Sequence, residues 1–372
     1  MTGKLRVLHV ASGDLWAGAE AQVAALVAEL ARDPTLQLQA VLLNRGELER
    51  RLCAAGVAVT LLDEARFRSW QILSGIRRVV RDFRPDVVHT HRDKENVLGG
   101  LAARLAGCAS MRTVHGASEH RPPGWRLDKQ AIRWLDRYAE RHWQQASVAV
   151  SGELGRRLRK ERPGISVKVI HNGLDLAALG ALREQHLARD PGQGPKKVTF
   201  VGRLVPVKRV DLFLEMARKS LDVGSCELKF DIVGEGPLAA ELRRLADRLA
   251  LGGRVEFHGF RPDAVAWMAS VDMLVFTSDH EGTPMAALEA LAIGVPVVAR
   301  AVGGLPELLS GVTGCHLVAG DEPAALAEAV HAVLEAGENP QLPQRYDIRR
   351  GAALYRELYE TLAVDSLPFD GD

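Results

Sequence analysis

The chain has 372 residues, more than one hydrophobic core normally supports, so two domains are expected. Hydrophobic residues make up 47% of it, enough for a core in each half, and no run of about 18 uncharged apolar residues offers a membrane-spanning helix. The N-terminal apolar run is too short for a signal peptide. Cys53, Cys108, Cys226 and Cys315 lack CxxC spacing, which argues against a zinc knuckle or a disulfide framework and predicts a reducing, cytoplasmic location.

Charge is distributed unevenly between the two halves. Residues 1–185 hold 29 basic and 20 acidic side chains, a net charge of +9, and residues 186–372 hold 19 and 27, a net charge of −8. The basic half suggests contact with an anionic partner, such as a membrane surface or a phosphorylated acceptor. A merely solvated basic surface explains the pattern equally well.

Short apolar runs alternate with helical patterns, which predicts parallel sheets flanked by helices. In the first half the runs and helical patterns are residues 7–11, 21–31, 40–43, 48–55, 87–90, 97–106, 111–114 and 148–150. After a polar helix near 175–190, strands are expected at residues 198–201, 229–233, 255–258, 273–276 and 295–299. We therefore predict two doubly wound α/β domains, with residues 191–195 as the flexible segment between them.

Ligands bind beyond the carboxyl ends of strands in such sheets, so the loops after strands hold the candidate residues. In the first half, Gly18 lets backbone amides approach a diphosphate, although the GxGxxG spacing of a dinucleotide site is absent. His89 and His91 have no carboxylate or cysteine partner at ligand spacing, which disfavours a metal site. His115 follows another strand, where a functional and a structural role are equally supported.

In the second half, two cations stand on the loop that follows the strand at 198–201. Arg203 and Lys208 suit the negative charge of a leaving diphosphate. Gly202, Gly234 and the loop at 302–307 offer backbone amides to the same ligand. Each motif is weak alone, but together they predict an anion-binding cleft.

Residues 281–289 place two carboxylates around a predicted helix start. Thr283 suits the N-cap, Pro284 the first helical position and Gly294 the helix end, so Glu281 lies in a loop and Glu289 on the helix. A helix start attracts an anion, and a carboxylate accepts hydrogen bonds from a sugar diol. For an isolated pair of glutamates, solvated surface positions would be the simpler interpretation.

Taken in order, these motifs resemble the retaining glycosyltransferases of family 4, which have the GT-B fold. The resemblance rests on Gly18–Glu20, His115–Gly116, residues 171–175, Gly202–Arg203 with Lys208, residues 234–237, Glu281 with Glu289, and Gly303–Gly304. It implies two Rossmann-like domains that face a central cleft. It also implies transfer of a sugar from a UDP- or GDP-linked donor to a hydroxyl acceptor, with retained anomeric configuration and without a required metal or cofactor.

The resemblance also implies residue roles. Arg203 and Lys208 would hold the diphosphate, Glu289 the ribose, and Glu281 and His115 the donor sugar. Backbone contacts to the donor would come from Gly18, Gly202, Gly234, Gly282 and Thr283. The chain departs from the family pattern at Ala17–Gly18, where a double glycine is common, and at residues 281–284, where EGFG is common.

The implied domains are an acceptor-side domain, residues 1–172 with a helix at 346–365 that crosses back, and a donor domain, residues 173–345. The expected acceptor is a glycan or lipid-linked molecule of polysaccharide, lipopolysaccharide or glycolipid biosynthesis. Basic residues interleaved with tryptophan in the first domain suit either an anionic membrane surface or an ordinary solvated face. They are Arg66, Arg68, Arg77, Arg78, Arg81, the loop 119–126, Lys129, Arg133, Trp134, Arg137 and Arg141. No nucleic-acid-binding module is recognisable.

The inventory of residues agrees with a reaction that needs no metal. A DxD motif occurs at Asp370 and Asp372, close to the C-terminus, and no residue stands out as a covalent nucleophile, which favours attack on the same face as the departing phosphate. The alternatives are a nucleotide-sugar epimerase, a phosphorylase-like enzyme, or a non-catalytic subunit that binds sugar nucleotides. A dinucleotide-dependent dehydrogenase is the least favoured, because neither glycine loop has the fingerprint.

Overall fold

The computed structural model describes residues 4–13, 16, 18–116, 127–189, 194–223 and 226–365. The chain divides into two compact units. Unit 1 comprises Met1–Gly173 with Arg345–Asp372, and unit 2 comprises Leu174–Gln344. Among the described residues, no helix is both long enough and apolar enough to cross a membrane.

Unit 1 contains a parallel sheet with helices along the chain between its strands. The strands are β1 (Leu5–Ala11), β2 (Leu36–Leu42), β3 (Ala58–Leu61), β4 (Val87–Thr90), β5 (Ala109–Val114), β6 (Ala146–Ala149) and β7 (Val167–Val169). The helices between them are α1 (Gly18–Leu30), α2 (Glu47–Ala54), α3 (Ser69–Phe83), α4 (Asp93–Ala106), α5 (Leu127–His142) and α6 (Gly152–Glu161). The strand order is β3-β2-β1-β4-β5-β6-β7, and each neighbouring pair is parallel.

Both faces of this sheet are covered, which explains why its central strands consist of nearly continuous apolar runs. Successive side chains of β1 point to opposite faces, so Val7 joins one core cluster with Leu26 while Leu8 joins another with Ile72. All four residues of β4 are buried. The hydrophobic pattern therefore specifies the middle of the sheet most strongly.

Unit 2 repeats the architecture with six strands. They are β8 (Lys196–Val201), β9 (Leu228–Val233), β10 (Val255–Gly259), β11 (Met273–Phe276), β12 (Val297–Arg300) and β13 (Cys315–Val318), in the order β10-β9-β8-β11-β12-β13. The helices are α7 (Leu176–Leu187), α8 (Val210–Val223), α9 (Ala239–Arg248), α10 (Ala264–Met268), α11 (Met285–Ile293), α12 (Leu305–Leu309) and α13 (Pro323–Ala336). Neighbouring strands are again parallel.

The last helix of the chain, α14 (Ile348–Asp365), packs into the core of unit 1. Tyr355 and Tyr359 are buried there, 3% and 0% exposed, beside residues of β1, β4 and β5. The backbone enters this position tightly, because a Cβ on Gly173 would lie 2.8 Å from Ile348 Cα. Unit 1 is thus built from two separate stretches of sequence.

The predicted fold class, two doubly wound α/β domains, is confirmed. The strands β3, β7 and β13 were not predicted, because each has only three or four residues and is partly exposed. The helix start near Thr283 is also corrected. Pro284 is the N-cap residue, in an extended conformation and without a side-chain cap of its own, so α11 begins one residue later than expected. Gly294 ends α11 in the left-handed conformation, as predicted.

Candidate active site

In each sheet the strand order reverses at one point, and this point positions the candidate residues. In unit 2 the reversal lies between β8 and β11, which are neighbours in the sheet but are separated by β9 and β10 in sequence. Because the connections are right-handed, the segments that follow these two strands lie on opposite faces of the sheet, and a crevice opens beyond the carboxyl ends of the strands. The loops at 202–208 and 277–284 therefore lie at the edge where ligands bind in this fold.

Lys208 and Glu281 meet across this reversal. Lys208 Nζ donates to Glu281 Oε1 at 2.7 Å and Oε2 at 2.8 Å, and Ser278 Oγ donates to the same Oε1 at 2.6 Å. Glu281 is 5% exposed. A carboxylate this buried needs its partners, because an unpaired buried charge is costly. The ammonium group of Lys208 is consequently held in one place.

The loop backbone around Lys208 is anchored to the loop after β11. Thr277 Oγ1 donates to the carbonyl oxygens of Lys208, at 3.0 Å, and of Arg209, at 2.8 Å. Arg300, at the end of β12, donates in turn to the carbonyl oxygens of Thr277 and Ser278. Three strand ends thus share one hydrogen-bonded edge.

Two glycines let the loops approach each other closely at this edge. Gly234 has φ +136°, and a Cβ there would lie 1.9 Å from the carbonyl oxygen of Gly202. Gly303 has φ +57°, and its Cβ would lie 1.8 Å from the carbonyl oxygen of Glu281. Side chains cannot be accommodated at these distances, so the motifs predicted at 202, 234 and 303 reflect backbone contact as well as any contact with a ligand.

The remaining candidate residues of unit 2 lie around this pair. Arg203 is exposed on the loop after β8, whereas Glu289 is half-buried on α11, about one turn of helix from its start. Gly282 is half-buried and Thr283 is buried between Glu281 and the start of α11. Among the candidates of unit 2, Lys208 and Glu281 form a direct hydrogen-bonded ion pair.

In unit 1 the order reverses between β1 and β4, and a cluster of histidines lies there. His9 on β1 is paired in register with His89 on β4. His91 follows β4 and His115 follows β5. His9 Nδ1 lies 3.1 Å from His91 Nε2, and His91 Nδ1 lies 3.2 Å from His115 Nε2, so three rings form one hydrogen-bonded chain.

His89 belongs to a second network that reaches α14. Its Nδ1 lies 2.7 Å from Tyr359 Oη, and its Nε2 lies 2.7 Å from Thr113 Oγ1, which contacts Tyr355 Oη at 2.9 Å. Both nitrogens of this buried ring are therefore engaged by hydroxyl groups.

A cavity of unit 1 borders the histidine chain. Its lining includes Ser12 after β1, Glu20 in the first turn of α1, Arg92 at the start of α4, and the residues His91 and His115. Arg92 forms an ion pair with the buried Glu20. Gly18 begins α1, so the predicted glycine and His115 belong to the same region of unit 1.

Burial keeps these histidines neutral. Desolvation lowers the pKa of His9 to about 3, and desolvation together with the charges of Arg92 and Arg112 lowers the pKa of His115 to about 3. Burial and the neighbouring histidines also hold the pKa of His89 and His91 well below the ordinary value. Neutral imidazoles donate from one nitrogen and accept at the other, as the hydrogen-bonded chain requires.

Two groups within the described residues have the composition of a metal site. The candidate ligand atoms of His9, His89 and His91 lie within 4.8 Å of one another. Hydrogen bonds use both nitrogens of His89 and pair His9 with His91. The second group, Asp231, Glu256 and His258, is held by a 2.7 Å contact between His258 Nε2 and Asp231 Oδ1.

Three residues of these sites were not found from the sequence. Ser278 directly follows β11 and meets the rule that ligand-binding residues follow strands, so that rule would have found it. Arg92 follows His91 in the same way. His9 lies inside a strand, and its relation to His89 depends on which strands are neighbours, which the sequence pattern does not specify.

Two family models match the chain, one in each half. Residues 16–178 match the model described as Glycosyltransferase Family 4, and residues 195–336 match the model described as Glycosyl transferases group 1. Together the two matches cover more than half of the chain.

Individual proteins agree with the family models. The chain is 31% identical to a 2-deoxystreptamine N-acetyl-D-glucosaminyltransferase of Streptomyces fradiae over 69% of this chain and 65% of that protein. It is 29% identical to the UDP-Gal:alpha-D-GlcNAc-diphosphoundecaprenol alpha-1,3-galactosyltransferase of Escherichia coli over 62% of each. The chain therefore spans less than two thirds of the length of these relatives.

Solved structures show the same fold. HepE of Anabaena, solved with UDP and glucose, superposes with a TM-score of 0.78 at 21% identity, over 96% of this chain and 100% of that chain. The sucrose-phosphate synthase of Thermosynechococcus elongatus superposes with a TM-score of 0.73 at 18% identity, over 97% and 100%. The fold is that of GT-B glycosyltransferases.

The buried histidines predict that unit 1 loses stability in mild acid. The unfolded chain takes up protons below a histidine pKa of 6.5, whereas native His9 and His115 resist protonation until about pH 3. Stability should therefore fall as the pH decreases from 6.5, by about 1.4 kcal/mol per histidine and pH unit. Urea unfolding followed by tryptophan fluorescence will measure this, because five of the six tryptophans lie in unit 1.

Two variants provide the comparison. His9→Asn should reduce the pH slope by about one proton, whereas replacement of the exposed His316 by Gln should leave it unchanged. Equal slopes for His9→Asn and the parent protein would contradict the assignment.

Proposed function

Because the chain belongs to the family 4, group 1 glycosyltransferases, we propose that it transfers a sugar from a nucleotide-sugar donor to a hydroxyl acceptor with retained anomeric configuration. The observation that carries this proposal is the Lys208–Glu281 pair at the strand-order reversal of unit 2. It supplies a fixed cation and a fixed carboxylate where ligands bind in doubly wound sheets.

The proposed chemistry uses cations to stabilise the leaving group. Negative charge grows on the diphosphate as its bond to the sugar breaks, and positive charge grows on the sugar ring. Lys208, already oriented by Glu281, and Arg203, on the same loop, stabilise the diphosphate without reorganisation at the moment of reaction. The acceptor hydroxyl attacks on the face that the phosphate leaves and gives its proton to a phosphate oxygen.

The other residues hold the donor. Glu289 on α11 accepts hydrogen bonds from the ribose hydroxyls, and Glu281 and His115 contact the donor sugar. The amides around Gly202, Gly234 and Gly282 contact the nucleotide diphosphate, and Gly18 at the start of α1 approaches the phosphate region. No metal or other cofactor takes part in this scheme, because the basic side chains neutralise the diphosphate.

The names of similar proteins guide the choice of substrates. The Escherichia coli relative is named for UDP-galactose and a diphosphoundecaprenol acceptor, and HepE was solved with UDP. We favour a UDP-linked donor over a GDP-linked one for this chain. The acceptor is a glycan or lipid-linked hydroxyl of polysaccharide, lipopolysaccharide or glycolipid biosynthesis.

A panel of nucleotide sugars tests the function. A donor that binds the native state raises the melting temperature, and the same donor should then transfer its sugar to a hydroxyl acceptor in the presence of EDTA. Binding without transfer to any acceptor would favour a non-catalytic subunit. Interconversion of the donor sugar would favour an epimerase, dependence on inorganic phosphate would favour a phosphorylase, and loss of activity in EDTA with rescue by Mn²⁺ would contradict metal independence. The DxD motif at Asp370 and Asp372 lies outside the described residues.

Removal of either diphosphate cation should slow turnover, and removal of Lys208 should also lower the melting temperature, because it leaves the buried carboxylate of Glu281 without its cationic partner. We expect Lys208→Ala and Arg203→Ala each to lower kcat on the order of a hundredfold, because each deletes a charge that faces the leaving group. The matched control is Lys219→Ala, because Lys219 is an exposed lysine on α8 of the same unit. We expect this variant to keep the parental kcat. Unchanged turnover in either site variant, with the melting temperature measured in parallel, would refute the assignment.

The two glutamates should separate binding from catalysis. Glu289 contacts a part of the donor that does not change during the reaction, so Glu289→Gln should mainly raise KM for the donor. Glu281→Gln should mainly lower kcat, because Glu281 orients Lys208 and lies near the reacting sugar. Initial rates over a range of donor concentrations will give both constants. Equal effects, or the reverse order, would show that the two roles have been exchanged.

We also propose that unit 1 binds an anionic membrane surface through α3 and α5. These helices both pack against α4, and each carries a highly exposed tryptophan, Trp70 at 66% and Trp134 at 65%. Arg137 and Arg141 are exposed on α5 near Trp134. Aromatic side chains flanked by cations suit the interface of an anionic bilayer.

Sedimentation with phosphatidylglycerol vesicles tests this surface. Binding should exceed that to phosphatidylcholine vesicles and should weaken with salt. The double substitution Arg137→Gln and Arg141→Gln should lower the affinity roughly tenfold or more, at about 1 kcal/mol for each cation. Arg350→Gln, an exposed arginine of α14, serves as the control. Equal binding to both kinds of vesicle would exclude the proposed surface.

A further inference from the structure

The chain of three imidazoles has two different ends. Its links are His9 Nδ1 to His91 Nε2 at 3.1 Å and His91 Nδ1 to His115 Nε2 at 3.2 Å. The two outer nitrogens, His9 Nε2 and His115 Nδ1, are buried and have no hydrogen-bond partner among the described residues. The His9 end lies among the rings of His89, His91 and Tyr359, whereas His115 is one of the residues that line the cavity, with Ser12 and Arg92.

A neutral imidazole carries one proton on its two nitrogens, so the chain has only two arrangements. In the first, every ring is protonated at Nδ1. His9 then donates to His91, His91 donates to His115, and His115 Nδ1–H is left as a donor. In the second, every ring is protonated at Nε2. The direction of both links is reversed, His9 Nε2–H is left unpaired, and His115 Nδ1 is a bare acceptor.

The enclosed end distinguishes the two arrangements. The first leaves a bare acceptor at His9, and the second leaves an unpaired N–H there. Among buried backbone groups, N–H donors without a partner are rarer than under-satisfied acceptors, and we apply the same order to the ring nitrogens. At the other end, His115 borders a cavity where water or a ligand can pair with either form. The cost at His9 therefore selects the first arrangement.

We propose that His115 is a fixed Nδ1–H donor to an oxygen atom of the bound ligand, and that His91 and His9 are positioning residues that set its tautomer and ring orientation. The ligand atom is a hydroxyl or phosphate oxygen. The identity of the ligand as a nucleotide sugar rests on the proposed function, whereas the tautomer does not.

This assignment limits the chemistry of His115. A ring that already carries its proton on Nδ1 cannot accept one there, so His115 does not act at this atom as the general base that deprotonates the acceptor. Burial keeps it uncharged, and the neighbouring cations Arg92 and Arg112 also disfavour an imidazolium. His115 thus orients a ligand oxygen by a directional hydrogen bond, whereas the charge of the diphosphate falls to Lys208 and Arg203.

Nitrogen-15 NMR of the histidine rings in the full-length, ligand-free protein tests the tautomer directly. Protonated and bare ring nitrogens differ widely in chemical shift, and the loss of signals in His9, His91 and His115 variants assigns them. We expect all three rings in the Nδ1–H form, unchanged between pH 8 and pH 6. An Nε2–H tautomer or a cationic ring at His115 would overturn the proposal.

A pair of substitutions at His9 tests whether this end of the chain of three imidazoles positions His115 at the other end. His9→Asn can keep an N–H donor near the position of Nδ1, whereas His9→Leu removes it. His9→Leu should shift the ratio of Nδ1–H to Nε2–H forms at His115 by about two- to tenfold, the effect of one lost hydrogen bond, and His9→Asn should restore the parental ratio. The same ratio in all three proteins, at matched melting temperatures, would show that His9 does not position His115.

Activity adds an independent measurement. If the chain transfers sugar, His9→Leu should raise KM for the donor and His9→Asn should recover it. If no nucleotide sugar binds, the proposed function fails while the tautomer result stands. If transfer occurs but His115 is protonated at Nε2, the proposal about the histidine chain fails alone.

Discussion

The reversal of strand order in each parallel sheet is the constraint on which both sites depend. A parallel strand cannot return through a short turn, so neighbouring strands are joined through crossover connections. Because these crossovers all have the same hand, the connections on either side of the reversal lie on opposite faces of the sheet. Between β8 and β11 this geometry brings Lys208 within 2.7 Å of Glu281, although 73 positions separate them in sequence. Between β1 and β4 it places His9 opposite His89. Neither contact arises from local sequence.

The two sites treat charge differently. In unit 2 an ammonium group and a carboxylate neutralise each other, and a serine hydroxyl satisfies the same carboxylate. In unit 1 the buried histidines are neutral, and they interact through directional hydrogen bonds. A fixed cation suits an anion whose charge changes during a reaction, and a neutral donor suits recognition of a polar oxygen.

Much of the fold was readable from the sequence because the central strands are buried and mostly apolar. The runs that became β4 and β11 were predicted at their observed positions, since burial on both faces leaves a continuous apolar signature. Edge strands such as β3 and β7 were not predicted, because the sequence of an exposed strand of three or four residues resembles that of a loop. The candidate residues were found by their position after strands. Their contacts were not, because the pairing of Lys208 with Glu281 depends on the order of strands in the sheet.

The position of α14 has a consequence for how the protein is made. Unit 1 is completed by residues after 344, and Tyr359 of α14 binds His89 within its core. A ribosome must therefore synthesise all 171 residues of unit 2, from 174 to 344, before unit 1 can close. At roughly 5–20 residues per second, this leaves the first sheet without its last helix for roughly 9–34 s. Unit 2 begins later in the sequence, but all of its residues are synthesised before the last helix of unit 1. The order of folding therefore need not follow the order of synthesis.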